Sequence, residues 1–490
     1  ERIKQGLSDA QKQQIVVQAE ALKQRQQQED DESILPKVGL ADIPETFVIP
    51  EGARVSSACG EVDYYAQGTN GLVYQQIVVP LPELNEQQQQ LIPYLTSCLT
   101  ELGCGERDYQ QVQAWQSSVS GGVSAFTSVR GKVDDEQQVS GYFTLSGKAL
   151  ARNSEALSEL LYETFNNVRF DEHHRIRELV SMQRARREQS ITGNGHGLAM
   201  AAAVSGYSPA AALSHRHNGL EGIAFIKKLD DGLKDDQKLA VFAKDLEDLY
   251  KLIMQGPRQY LCVAEPERQE TLLDIVSSRW PKAQPANDFK TFNLPPTRAA
   301  VKQVWGTNTQ VNFCAKAYPT VPVGHADSAA LTVLGGFLRN GYLHRVIREQ
   351  GGAYGGGAGQ EAASASFRFY SYRDPRLDET LADFDASIDW MLTEEHSELR
   401  LEEAILGVIG SIDKPGSPAG EAKQAYHNGL FGRSPEQRRR FRSGILKITL
   451  DDLKRVTQTY LKDQAGSVAV ITDNHTAQQY ADKGFEINLL

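Results

Sequence analysis

The sequence predicts an α+β fold of two related domains, each a mainly antiparallel sheet flanked by helices, preceded by a helical linker. Strand-like segments follow one another without strict strand–helix alternation, which favours antiparallel pairing. The same order of strand and helix patterns occurs twice, and a Gly-Gly pair at 121–122 recurs at 351–352. The two copies share too little sequence for a solenoid, so we expect two domains of common ancestry.

Residues 1–47 are predicted to form an incomplete helical linker. Ser8 and Gln11 have the spacing of a capping box that opens a helix, and the pattern continues into the polar, glutamine-rich run Gln24–Asp31. The apolar stripe of this helix is thin, which is typical of a connector or of a helix with a partner surface. Because the chain starts at Glu1 and not at Met, we expect the first half of the linker to lie upstream.

The first α+β domain is predicted at 48–270 and begins with strands over residues 62–80, which turn at residues 68–71. A helix opens at Asn85. Periodicity then predicts a strand at 141–145, helices at 154–165, 171–190 and 236–254, and a closing strand at 260–264. Residues 191–235, rich in Gly, Ala and His, leave two interpretations open: a loop that lines a cavity, or a plain connection.

The second domain, predicted at 285–490, repeats this order. Strands over 303–318 turn at residues 307–309, and the later elements are a helix at 326–338, a strand at 366–372, helices at 377–392, 400–412 and 450–462, and a closing strand at 468–472.

Composition excludes several classes of protein. The 490 residues are 40% hydrophobic and 23% charged, as in ordinary globular proteins, and the net charge of -11 argues against a nucleic-acid partner. No run of about 20 apolar residues predicts a membrane span. The five cysteines are scattered without a C-x-x-C pair, which indicates a reducing compartment, either bacterial cytoplasm or an organelle matrix.

The candidate site lies where a predicted helix leads into a glycine-rich stretch and a strand. Arg348 and Tyr354 carry donors suited to a peptide carbonyl or to the oxyanion made from it. Gly351, Gly352 and Gly355 allow close approach of another backbone, so an extended peptide could pair with this edge by strand addition. A plain turn is the competing interpretation. The glycine spacing contains neither G-x-G-x-x-G nor G-x-x-x-x-G-K-[ST], which disfavours a phosphate cradle.

The histidines do not predict a metal site, since none of the ten forms H-x-x-E-H or H-E-x-x-H. His174 and Glu178 are four apart, within a charged stretch that is typical of a solvated helix face. His215 and His217 are interpreted as a loop pair. Cys98 and Cys104 are disfavoured as a redox or nucleophilic pair because no base lies near them in sequence, and no G-x-S-x-G motif predicts a serine hydrolase.

Several ordered segments together resemble the pitrilysin/insulinase superfamily of zinc peptidases, and within it the C-terminal half of its presequence-protease-like members. The similarity spreads over most of the chain, in the family's order, and the helical linker at 1–47 is similar to the hairpin that joins the two halves in that family. It is carried by residues 68–74, 99–105, 307–309, 315–322, 347–358 and 370–375.

This resemblance implies four related domains in two halves that close around a peptide. The first half would carry the zinc motif H-x-x-E-H, and the second would contribute an Arg and a Tyr that match Arg348 and Tyr354. Arg345, one helical turn earlier, is expected to be structural or to lie at the rim. Where the zinc motif would fall in the first repeat, this chain has Tyr94, Ser97 and Cys98, so no metal is expected here.

The resemblance therefore implies a non-catalytic, substrate-clamping half of a zinc metalloendopeptidase that degrades short unfolded peptides. Zinc would be bound by an N-terminal catalytic half, joined covalently or supplied in trans, and this chain alone would be inactive. The alternative is a stand-alone inactive homologue that acts as a structural or assembly subunit. A third class, a small-molecule or nucleotide binder that uses the glycine-rich strand, also stays open.

Overall fold

The computed structural model describes residues 6–27, 36–282 and 289–490. Residues up to 45 and residues 46–490 form separate compact units. In the first unit, helix α1 (Asp9–Gln27) begins at the predicted capping box. The backbone N–H of Gln11 donates to Ser8 Oγ at 3.3 Å, and that of Ser8 donates to Gln11 Oε1 at 2.9 Å. Residues 28–31 of the predicted helical run lie outside the described residues.

The first sheet of the larger unit has six strands in the order β1-β2-β6-β3-β5-β4. Only β2 and β6 run parallel, and the other neighbours are antiparallel. The strands are β1 (Ala53–Ser57), β2 (Gly60–Ala66), β3 (Leu72–Pro80), β4 (Val123–Gly131), β5 (Val139–Leu150) and β6 (Gln259–Ala264).

The second sheet also has six strands, in the order β12-β7-β11-β8-β10-β9. Strand β7 runs parallel to both β11 and β12, and the remaining pairs are antiparallel. The strands are β7 (Lys302–Thr307), β8 (Phe313–Pro319), β9 (Gly355–Glu361), β10 (Ser366–Tyr372), β11 (Ser467–Asp473) and β12 (Glu486–Leu489).

The two sheets share one topology, because the run β2-β6-β3-β5-β4 corresponds strand for strand to β7-β11-β8-β10-β9. Each Gly-Gly pair shortly precedes an edge strand of its sheet, β4 after 121–122 and β9 after 351–352. The predicted α+β class, with two related and mainly antiparallel sheets, is confirmed.

Helices flank both sheets. Before the second sheet they are α2 (Glu86–Leu99), α3 (Tyr109–Val119), α4 (Ser154–Asn166), α5 (His173–Gly193), α6 (Gly195–Ala203), α7 (Pro209–Asn218), α8 (Leu220–Gly232), α9 (Asp236–Met254) and α10 (Gln269–Arg279). The later ones are α11 (Ser328–Leu338), a π-helix (Arg339–Gln350), α12 (Asp378–Thr393), α13 (Glu398–Ile412), α14 (Pro418–Leu430), α15 (Pro435–Ile445), α16 (Leu450–Tyr460) and α17 (Asn474–Gln479).

The middle segment, residues 191–235, is neither a loop nor a plain connection. It forms α6, α7 and α8, and α6 packs across the second sheet. Fully buried Ala199 and Ala202 share a core with Phe313 of β8, because small side chains let the helix lie close to the strands. The first half of the chain thus supplies part of the second sheet's core.

Candidate functional site

The structure brings Arg348 and Tyr354 together at the surface. Arg348 lies in the last turn of the π-helix, and Tyr354 immediately precedes β9. Both side chains are exposed, with Tyr354 at 67%. The guanidinium carbon of Arg348 lies 6.0 Å from the centroid of the Tyr354 ring, at the outer limit of a cation–π contact. A cation and a phenol therefore share one patch of solvent-accessible surface.

The segment that presents Arg348 departs from the ordinary helix expected there. Residues Arg339–Gln350 form a π-helix that buries Leu343, Val346 and Ile347. Such wide turns are rare and are found frequently at functional sites. Arg345 is exposed as well, so exposure alone does not separate the two arginines. Burial raises the pKa of Tyr342, and the nearby charge of Arg345 opposes that rise.

The glycines that follow have different surroundings. A Cβ atom at Gly351 would collide with the Arg376 guanidinium, and Gly352 has a φ of +82°, which disfavours other residues. The contact at Gly351 and the backbone angle at Gly352 therefore account for glycine at both positions from within the chain. Gly355 differs, because a Cβ atom there would meet nothing within 4 Å.

Tyr354 packs against one aromatic ring, that of Tyr372. The backbone N–H of Tyr354 donates to the carbonyl oxygen of Tyr372 at 3.0 Å, and the two rings meet edge to face with their centroids 5.5 Å apart. His196, from α6, packs 4.8 Å from Tyr372 and 5.5 Å from Tyr370. Burial lowers the pKa of His196, which favours the neutral imidazole among these rings. No sequence pattern points to His196, since its role depends on α6 crossing the second sheet.

Strand β9 is one of the two edge strands of the second sheet, paired with β10 along its length. Within residues 6–27, 36–282 and 289–490, no strand pairs with its other edge. Helix α11 packs closely against β9: a Cβ atom added at Gly335 would lie 2.6 Å from the Cα atom of Gly359. An unpaired edge of this kind is the feature to which extended peptides add.

The ion pairs described around the site do not involve Arg348. Arg376 forms an ion pair with Asp383 at 2.9 Å and also donates to the carbonyl oxygen of Val346. Among the described side chains, no carboxylate pairs with Arg348. Its five N–H donors and the Tyr354 hydroxyl can therefore donate to acceptors from another molecule.

The helix expected to replace a zinc motif does not fit a zinc ion. On α2, Tyr94 and Cys98 are buried, and Ser97 Oγ donates to the Tyr94 carbonyl oxygen at 3.0 Å. Burial raises the pKa of Cys98 to about 12, so the thiolate that zinc requires is disfavoured. In the part of the chain that the structure describes, no group of three or more His, Cys, Asp or Glu side chains is placed to hold a metal ion.

The remaining candidates occupy structural positions. The loop interpretation of His215 and His217 is wrong, because both are buried on helix α7. Burial lowers the pKa of each to about 4. Burial raises the pKa of Cys104 to about 11, as it raises that of Cys98, so neither thiol suits a nucleophile. Glu178 pairs with Arg175 at 2.7 Å on a partly exposed helix face.

Known families and relatives match most of the chain. Residues 1–229 match the model of the domain associated with peptidase family M16, subfamily C, and residues 302–473 match the PreP C-terminal domain. The mitochondrial presequence protease of Yarrowia lipolytica is 29% identical over 476 residues, which are 95% of this chain and 47% of that protein. That of Xenopus laevis is 28% identical over 486 residues, 93% of this chain and 46% of that protein. The chain spans about half the length of the curated relatives it matches.

Solved structures share the fold. The periplasmic protease PqqL of Escherichia coli aligns with a TM-score of 0.58 and 16% identity, over 96% of this chain and 51% of that one. The inactive domain of a peptidase M16 from Pseudomonas fluorescens aligns with a TM-score of 0.59 and 16% identity, over 86% of this chain and 98% of that one. No helix in the described ranges is long and apolar enough to cross a membrane.

Proposed function

This chain belongs to the pitrilysin/insulinase peptidase family, where it corresponds to the C-terminal half of a presequence-protease-like protein, and from that premise we propose that it is the substrate-clamping half of a zinc endopeptidase. The substrates would be short unfolded peptides. We place zinc in an N-terminal half, covalently joined or supplied in trans, because Tyr94, Ser97 and Cys98 do not fit the metal. The chain by itself would be inactive.

The observation that carries the proposal is the exposed pair Arg348 and Tyr354 beside the open edge of β9. The Arg348 fork would bind one or two carbonyl oxygens of a peptide, and the Tyr354 hydroxyl would donate to the oxygen that gains charge in the reaction. Donors already in place at such an oxygen typically contribute about 10²–10³-fold to the rate. Gly355, with open space beside it, leaves room for the peptide backbone.

The proposed compartment follows from the thiols. All five cysteines are buried and unpaired, which supports a reducing environment such as a bacterial cytoplasm or an organelle matrix. Partners would be the N-terminal half and the peptide, with neither nucleic acid nor membrane involved.

The test uses a complete protein in which this chain is combined with a half that carries H-x-x-E-H. Tyr354→Phe is expected to lower kcat/KM for a peptide about 10²–10³-fold while the melting temperature stays the same, since the hydroxyl is exposed. Arg348→Lys is expected to be damaging as well, because the planar fork is lost. Arg345→Lys is the matched control and is expected to keep full activity. Full activity in both Tyr354→Phe and Arg348→Lys would remove the pair from the site.

A further inference from the structure

A cavity of about 320 Å³ lies where β4, an edge strand of the first sheet, meets helices α13, α14 and α15. Three arginines line it: Arg130 from β4, Arg433 from the turn between α14 and α15, and Arg438 from α15. Phe47 and Phe441 contribute apolar walls. This cavity shares no lining residue with the Arg348 site.

The three guanidinium groups lack carboxylate partners among the described residues, in contrast to their neighbours. On α15, the helix that carries Arg438, Arg442 forms an ion pair with Asp413 at 2.5 Å, and Arg439 lies 3.8 Å from Glu51. Arg438 has no such partner there, and neither do Arg130 and Arg433. Two carboxylates lie near the arginines without pairing directly with them: Glu361 pairs with Arg368 at 2.9 Å, and Glu421 accepts from the backbone N–H of Gly416 at 2.8 Å. Their charges still act over a longer distance, Glu361 on Arg130 and Arg433, and Glu421 on Arg438.

The arginines are also incompletely satisfied by hydrogen bonds. The Nε atom of Arg433 is buried and has no hydrogen-bond partner, which is costly for a charged group. Arg130 donates only a long bond of 3.4 Å to Asn428 Oδ1. Burial lowers the pKa of Arg433, and the charges of Arg130 and Arg438 lower it further, which places the three within electrostatic reach of one another.

Aromatic rings pack against two of the three guanidinium groups. The guanidinium carbon of Arg130 lies 5.0 Å from the Phe431 ring centroid, and that of Arg438 lies 5.4 Å from the Phe47 centroid. The C-terminal end of α13 borders the cavity at Ser411 and supplies about half an elementary negative charge, against three positive charges. His427 adds no charge near neutral pH, because burial and the charges of Arg130 and Lys423 lower its pKa to about 4.

From this cluster we infer that the cavity is a binding site for a multiply charged oxyanion. A planar guanidinium can donate two parallel hydrogen bonds to the oxygens of a phosphate or carboxylate, and an anion here would compensate the positive charge of the three arginines. The oxyanion has two possible sources, free phosphate or the carboxylates of an acidic peptide. The inference stands on the cavity alone and does not depend on the proposed peptidase role.

The first arm of the test titrates the 490-residue chain with inorganic phosphate by calorimetry, with ionic strength held constant by chloride. We expect saturable binding at one site and at least about tenfold weaker binding in Arg433→Met. Arg440→Met is the matched control, since Arg440 is exposed on α15 and lies outside the cavity lining. In phosphate-free buffer, Arg433→Met is expected to melt no lower than the parent chain, because a repelled charge is removed.

The second arm distinguishes the sources with a short peptide ending in Asp-Asp-Glu and its Asn-Asn-Gln counterpart with an amidated terminus. Binding of the acidic peptide alone, lost in Arg433→Met, assigns the cavity to peptide carboxylates, and competition with phosphate would place both at one site. If Arg433→Met does not fold, Arg438→Met replaces it. Absence of saturable binding of either probe, or affinities unchanged in these variants, would overturn the inference.

Discussion

The imidazole of His196 lies 4.8 Å from the ring of Tyr372, and the two rings meet edge to face. Tyr372 in turn meets Tyr354 edge to face at 5.5 Å. Because His196 belongs to α6, a helix far earlier in the chain supports the exposed phenol of the proposed site.

Tyr372 is expected to be the structural centre of this ring cluster. Tyr372→Ala removes ring contacts with His196, Tyr354 and Phe313, each worth about 0.5–1.5 kcal/mol beyond the buried area. We expect a loss of about 2–4 kcal/mol in the free energy of unfolding, measured with urea. Tyr370→Ala is the control, since His196 is its one ring partner among the described residues, and it is expected to lose less. Equal losses would contradict this arrangement.

Gly195 is expected to be needed where α6 approaches β8. A Cβ atom there would lie 2.6 Å from the Phe313 ring, so Gly195→Ala should cost about 1–3 kcal/mol through overpacking. Gly193→Ala is the matched control, because a Cβ atom there would meet nothing within 4 Å. That change should be neutral or stabilising by up to about 1 kcal/mol. Urea unfolding of both variants checks the contrast, and a harmless Gly195→Ala would refute the close packing.

Stability is expected to fall in mild acid, and buried His215 is expected to be one source of the loss, beside His217 and His427. Burial lowers the pKa of His215 to about 4 from 6.5, so its contribution is complete above pH 6.5 and is lost as the pH falls toward 4. Between about pH 7.5 and pH 5 we expect this residue to account for a loss on the order of 2 kcal/mol in the free energy of unfolding. Urea unfolding at both pH values provides the measurement.

The variant His215→Leu isolates that contribution. Both ring nitrogens of His215 are buried without a hydrogen-bond partner, so leucine should leave stability near neutral pH unchanged or higher and reduce the loss in mild acid. His217→Leu should instead cost stability near neutral pH, because its Nε2 atom bonds the Gln89 carbonyl oxygen at 2.8 Å. His174→Leu, at an exposed histidine, should change neither value. An undiminished pH dependence in His215→Leu would assign the effect to other groups.

The purified chain is expected to contain no stoichiometric zinc. Cys98 is buried with its pKa raised to about 12, and its neighbours on α2, Tyr94 and Ser97, are poor zinc ligands. Elemental analysis after dialysis against zinc gives the answer. A stoichiometric amount of zinc, lost in Cys98→Ala, would show that α2 does hold a metal.

Much of the sheet structure could be predicted from the sequence, because alternation along a strand is a local property. The helices α3, α10 and α15 could not, since each buries only one or two side chains and its periodic signal is thin. The position of His215 and His217 on helix α7 could not be predicted either, because over so short a run the residue pattern fits a helix and a loop equally well.

By itself the sequence predicted the duplicated α+β class and the candidate pair Arg348 and Tyr354, since these depend on residue types and their spacing, and its ordered segments carried the resemblance to the family. Only the tertiary structure decided that β9 is an outermost strand, that His196 backs the site, and that three arginines meet in one cavity. These facts depend on contacts between residues far apart in the chain, and spacing along the chain carries no record of such contacts.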